Sequence, residues 1–168
     1  MIYNHVSDRS SLLFVLVAME KAIAKMRKCA AVVDLGFVID ASGSVAGQYP
    51  KMISVVKKIV SDFGLSEDGT HAGAIAFSDS AEVILDFTQY YNVDAFKKAL
   101  DSFPLPQGQT RIDIALLAAL RDLFSVKAYS RPGVPKIMVI LTDGLQTSPQ
   151  TIDPVIIIDQ LLNAGVKV

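Results

Sequence analysis

Hydrophobic and polar positions along this chain follow two rhythms that alternate from Val32 onward. Continuous apolar runs are one: Val32–Asp40 reads as a strand buried on both faces, and "VPKIMVILTDG" (134–144) as a second of the same kind. Helical spacing is the other. In Gln48–Phe63, the residues Met52, Val55, Val56, Ile59, Val60 and Phe63 fall on one face. "NVDAFKKALDSF" (92–103) predicts a short helix capped by Asn92, "PLPQGQ" (104–109) a loop, and Thr110 to Phe124 a helix rich in Ala and Leu. A last helix is expected over 152–163, stopped by Gly165, and "VKV" opens a further strand.

Two more strands lie between the first two helices, "THAGAIAFSD" (70–79) and "AEVILDFT" (81–88). Only Ser78–Ser80 separates them, enough for a hairpin but not for a crossover, so this pair is expected to be antiparallel. Elsewhere strands alternate with helices, which requires parallel pairing through crossovers. The predicted fold is therefore α/β: three layers, doubly wound, a mostly parallel sheet with one antiparallel edge strand.

In such sheets ligands bind at the carboxyl ends of the strands. The run Leu35–Ile39 ends there in Asp40, followed by Ser42 and Ser44. By itself this cluster is either a turn with a helix cap or a set of ligands. The other strongly apolar strand also ends in an aspartate, Asp143, and the loop entering the Ala-rich helix offers Thr110, with Gly108 permitting close backbone approach. Carboxylates and hydroxyls without imidazole or thiolate suit a hard cation. Two carboxylates and three neutral hydroxyls leave such an ion under-neutralised, so an acidic group from outside can complete its shell. Hydroxyl-rich ligation favours Mg²⁺ or Mn²⁺ over Ca²⁺.

Composition narrows the partners. The 168 residues carry a net charge of −1, without the basic patch that nucleic acid demands. No run reaches the roughly 18 apolar residues of a membrane span; "LLFVLVAM" (12–19) is followed at once by Glu20 and Lys21. Residues 1–31 form an N-terminal extension with two readings. One is an amphipathic helix with Leu12, Val15, Leu16, Met19, Ile23 and Met26 on one face; the other is a degenerate signal segment with "AIA" (22–24) as its cleavage site. With a single cysteine, Cys29, no internal disulfide can form. His5 and His71 stand outside any catalytic arrangement, and Lys57, Lys58, Lys97 and Lys98 read as solvent-facing helix residues.

"DASGS" (Asp40, Ser42, Ser44), "GQTRID" (Thr110) and "ILTDG" (Asp143) stand in one order, each at the end of its strand or helix. Together they resemble the metal-ion-dependent adhesion site of the von Willebrand factor A domain, the integrin inserted-domain fold. The resemblance covers about Val32 to Val168, including "AGAIAFSDSAEVILDF" as the second strand and antiparallel edge strand. It implies that Ser42, Ser44 and Thr110 approach the ion directly, while Asp40 and Asp143 act through water. It also implies an extracellular, secreted adhesion or matrix-assembly module whose protein partner supplies an Asp or Glu. Where many members have a second Thr, this chain has Ile112. Relative to the family, 32–168 is expected to lack the last full strand and closing helix. Cys29 would then either pair with a cysteine beyond Val168, as the resemblance implies, or remain a free thiol.

Other functions fit less well. A Mg²⁺-dependent phosphotransferase with Asp40 as nucleophile is the main alternative, but it wants an acidic residue at position 42, where Ser stands. No glycine-rich phosphate motif and no G-x-S-x-G elbow is present. The expected role is binding without catalysis. Asp113 reads as a dipole partner in the first helical turn or a support for the site, and Arg111 as a steering charge or a plain surface residue.

Overall fold

A computed structural model describes residues 32–102, 107–125, 129–143, 146 and 149–168. The expectations for residues 1–31, including the helix over Leu12–Met26, the signal segment, His5 and Cys29, lie outside the described residues.

The sheet contains β1 (Asp34–Asp40), β2 (His71–Phe77), β3 (Ala81–Leu85), β4 (Lys136–Leu141) and β5 (Val166–Lys167), in the spatial order β3-β2-β1-β4-β5. β1 runs parallel to both neighbours, with Asp34 level with His71 and Lys136, and Ile39 level with Leu141. β2 and β3 form the antiparallel pair that the three-residue connection requires. Every residue of β1 is buried, as its unbroken apolar run demands.

Helices cover both faces. α1 (Tyr49–Phe63) and α2 (Val93–Asp101) pack on the face lined by Leu35, Phe37 and Ile39. α3 (Ile112–Ala118) and α4 (Pro154–Asn163) pack on the face lined by Val38, Ile75 and Met138. The split follows from the two-residue alternation of β1 side chains. The three layers and the single antiparallel edge strand are those the sequence predicts. Among the described residues, no helix is long and apolar enough to cross a membrane.

Boundaries shift for local reasons. α1 begins at Tyr49 with Pro50 in its first turn, where a missing N–H costs nothing. β3 stops at Leu85 because the Asp86 carboxylate accepts from both the N–H and the hydroxyl of Thr88, folding the chain into a turn. Asn92 caps α2 as expected, accepting from the N–H groups of Asp94 and Ala95. The helix expected from Thr110 to Phe124 starts at Ile112, and after Ala118 it widens into a π turn over Ala119–Leu123. That turn seats Phe124 against the sheet, where Gly36 leaves room; a Cβ there would overlap the Phe124 ring. Lys57 pairs with Asp101 and Lys58 with Asp62, in keeping with solvated helix faces.

Candidate metal centre

Asp40, the last residue of the central strand, is fully buried. One carboxylate oxygen accepts the N–H of Ser42 at 2.9 Å, and the other accepts the hydroxyl of Thr142 at 2.7 Å. Both donors are neutral. Among the described residues Asp40 has no ion pair.

The chain then turns through Gly43–Val45 as a single 3₁₀ turn, which points Ser42 and Ser44 the same way. Their hydroxyl oxygens are 3.0 Å apart, and the Thr110 hydroxyl donates to that of Ser42 at 2.9 Å. Ser42 and Thr110 are buried, whereas Ser44 is exposed. The Thr110 loop reaches this position because the N–H of Gly43 bonds the Gly108 carbonyl at 3.1 Å. Gly108 adopts φ +137°, and its missing side chain leaves space for the Asp79 carboxylate, which accepts the Gln109 N–H at 3.1 Å.

Four of the five expected ligands, Asp40, Ser42, Ser44 and Thr110, are thus joined by hydrogen bonds. Asp143 lies at the same sheet edge, two residues beyond β4, and is half-buried. Its neighbour Thr142, which the sequence reading left without a role, is the residue that reaches Asp40. The pairing of Ile39 with Leu141 sets Thr142 level with Asp40, and register of this kind is not visible in one sequence.

The donor set fits a small cation. Octahedral ligands held at about 2.0–2.1 Å place neighbouring oxygens roughly 2.9 Å apart, the spacing at which these hydroxyls already sit. The described residues hold no cluster of three or more His, Cys, Asp or Glu. The chemistry is oxygen-based: three clustered hydroxyls and a neighbouring carboxylate.

Arg111 does not reach outward. Its guanidinium grips Asp113 through two bonds of 2.9 Å, and these hold the Asp113 carboxyl well below the usual carboxylate range. His71 is structural: its Nε2 meets the Glu67 carbonyl at 2.8 Å, and its ring packs on Tyr91.

A parallel-dominated sheet with one antiparallel hairpin, carrying D-x-S-x-S, Thr and Asp at its carboxyl edge, defines a class of binding domain. Residues 34–168 match the family model of the von Willebrand factor type A domain, and the chain belongs to that family. It is 30% identical over 117 residues to von Willebrand factor A domain-containing protein 1 of Mus musculus, covering 69% of this chain and 28% of that protein. It is also 30% identical over 116 residues to the transmembrane cell adhesion receptor mua-3 of Caenorhabditis elegans, covering 66% of this chain and 3% of that protein. Among solved structures it resembles proximal thread matrix protein 1 from the mussel byssus, with zinc in its MIDAS motif. There the TM-score is 0.71 and the identity 30%, over 82% of this chain and 35% of that one. The chain spans less than a third of the length of these curated relatives.

Proposed function

We propose that residues 32–168 act as a binding module, preceded by an extension over residues 1–31, that captures an Asp or Glu of an extracellular or matrix protein through a divalent cation. In this reading Ser42, Ser44 and Thr110 bind the cation directly, and Asp40 and Asp143 hold it through water. Mg²⁺ or Mn²⁺ is the proposed ion, and it supplies an electrophilic position for the partner's carboxylate.

Asp40 carries the reading. A buried carboxylate is normally paired with a cation or bound to a metal. Among the described residues Asp40 has only neutral donors, and Ser42, two residues on, joins three hydroxyls into one hydrogen-bonded cluster. The residues therefore gather oxygen ligands next to a carboxylate that no cationic side chain among the described residues pairs with. An extracellular setting is supported by the company of an adhesion receptor and a byssal matrix protein.

The phosphotransferase alternative lacks a residue it needs. That chemistry wants an acid/base two residues after the nucleophile, and Ser42 stands there with its hydroxyl bonded to those of Ser44 and Thr110.

The test is retention of the chain on immobilised matrix proteins in Mg²⁺ and in EDTA, with Ser42→Ala and Asp143→Ala beside the wild type. Retention should vanish with EDTA and in both variants, while circular dichroism stays native. Binding that persists through chelation and both substitutions would sink the proposal.

A further inference from the structure

Asp113 is nearly fully buried, and it is gripped by more donors than a helix-dipole partner needs. One carboxylate oxygen accepts from Arg111 Nε at 2.9 Å. The other accepts from Arg111 Nη2 at 2.9 Å and from the backbone N–H of Thr151 at 2.8 Å. Arg111 Nη2 also donates to the Thr151 hydroxyl at 2.7 Å. The network therefore joins two loops that are 40 residues apart in the chain.

Each loop carries part of the candidate metal centre. Arg111 directly follows Thr110, whose hydroxyl bonds Ser42. Thr151 follows Asp143 in the stretch of chain between β4 and α4, two residues before Asp153 caps α4. Arg111 has φ −116° and ψ 79°, outside the helical region, so its own conformation does not extend the helix over Thr110. The grip on Asp113 fixes it from the helix side, while Asp79 holds the Gln109 N–H from the other. A surface carboxylate would serve the helix terminus equally well. Burial with a bidentate arginine and a second loop serves to hold geometry.

We propose that Asp113 is a positioning residue for the metal centre: with Arg111 and Thr151 it latches the Thr110 loop to the loop carrying Asp143, keeping hydroxyl and carboxylate at one spacing. This rests on the cation-binding reading above. Partners that orient ligands from behind alter metal affinity about 10–100-fold when removed.

The experiment uses the full chain and Mn²⁺ as the probe. Calorimetric titration and amide hydrogen exchange are run on wild type, Asp113→Asn, Thr151→Ala and Arg131→Lys. Arg131 lies at the opposite end of β1, so its variant reports loss of stability without change at the metal centre. Asp113→Asn should weaken Mn²⁺ binding at least about tenfold, and Thr151→Ala less. Both should speed exchange at 107–111 and 149–153 together, while Arg131→Lys leaves Mn²⁺ affinity and those segments unchanged. Unchanged exchange at 107–111 in Asp113→Asn overturns the latch. Faster exchange with Mn²⁺ affinity within about twofold of wild type overturns the positioning role. A wild type that binds no Mn²⁺ defeats the cation reading instead, and the exchange data then decide the latch alone.

Discussion

β1 carries a fully buried aspartate at each end, and the two are treated differently. Asp34 accepts Arg131 Nε and the Arg131 backbone N–H, both at 2.8 Å, so its charge is neutralised within the protein. Asp40, six residues on, receives one N–H and one hydroxyl and, among the described residues, no cation. Strand, sheet and depth are shared, so burial alone does not account for the contrast. The Asp34 end is closed and structural. At the Asp40 end a buried carboxylate with neutral donors lies next to a hydroxyl cluster, which is the condition a bound cation would complete.

The most severe break of this comparison is Arg131→Ala. It leaves a buried carboxylate unpaired, and loss of one partner in such a pair costs about 3–5 kcal/mol; the partial exposure of the guanidinium puts the expectation near the lower figure. Urea denaturation should show this loss with and without Mg²⁺. A loss that Mg²⁺ reverses would mean that the two ends are not independent.

A smaller effect comes from adding Mg²⁺ to the wild type. A ligand at ten times its Kd that binds only the folded state stabilises it by about 1.4 kcal/mol. In a chain of this size that corresponds to a rise in Tm of roughly 3–6 °C. Arg131→Ala should show the same increment from its lower baseline, because the ion acts at the other end of β1. Thermal unfolding of both proteins in EDTA and in Mg²⁺ measures it, and a flat response in the wild type would remove the basis for calling the Asp40 end incomplete.

How far the two ends were legible differs for physical reasons. Asp40, Ser42 and Ser44 stood out because a buried apolar strand seldom ends in small oxygen-bearing side chains, and Thr110 and Asp143 followed from their order along the chain. The sheet was readable for a related reason: three residues between β2 and β3 permit only a hairpin. Contacts made at long range were not readable. Arg131 meets Asp34 across 97 residues, and Thr142 meets Asp40 across 102. Asp113 was misleading in another way. Residues two apart on a helix do not face each other, so Arg111 was no obvious partner. The non-helical backbone at Arg111 is what lets its side chain fold back. The π turn after Ala118 left no mark in the apolar spacing, because Ala119, Leu123 and Phe124 remain buried through it.

The smallest effect on folding should come from Asp40→Asn, and it is the sharpest test of the comparison. The amide keeps the shape of the carboxylate and one acceptor oxygen for the Ser42 N–H. Its NH₂ would face Thr142, whose hydroxyl can rotate from donating to accepting one N–H, so the existing partners are kept and the second N–H is the one new donor. A buried charge without a countercharge is removed at the same time, which offsets part of any lost hydrogen-bond strength. Stability in EDTA should therefore change by no more than about 1 kcal/mol in either direction. In Mg²⁺ the variant should gain nothing where the wild type gains, since the carboxylate is gone. The equivalent change at the other end, Asp34→Asn, replaces a carboxylate that holds a guanidinium and should cost stability in both buffers. If Asp40→Asn keeps the full Mg²⁺ increment, the carboxylate is not what the cation answers to, and Asp40 drops out of the proposed ligand set.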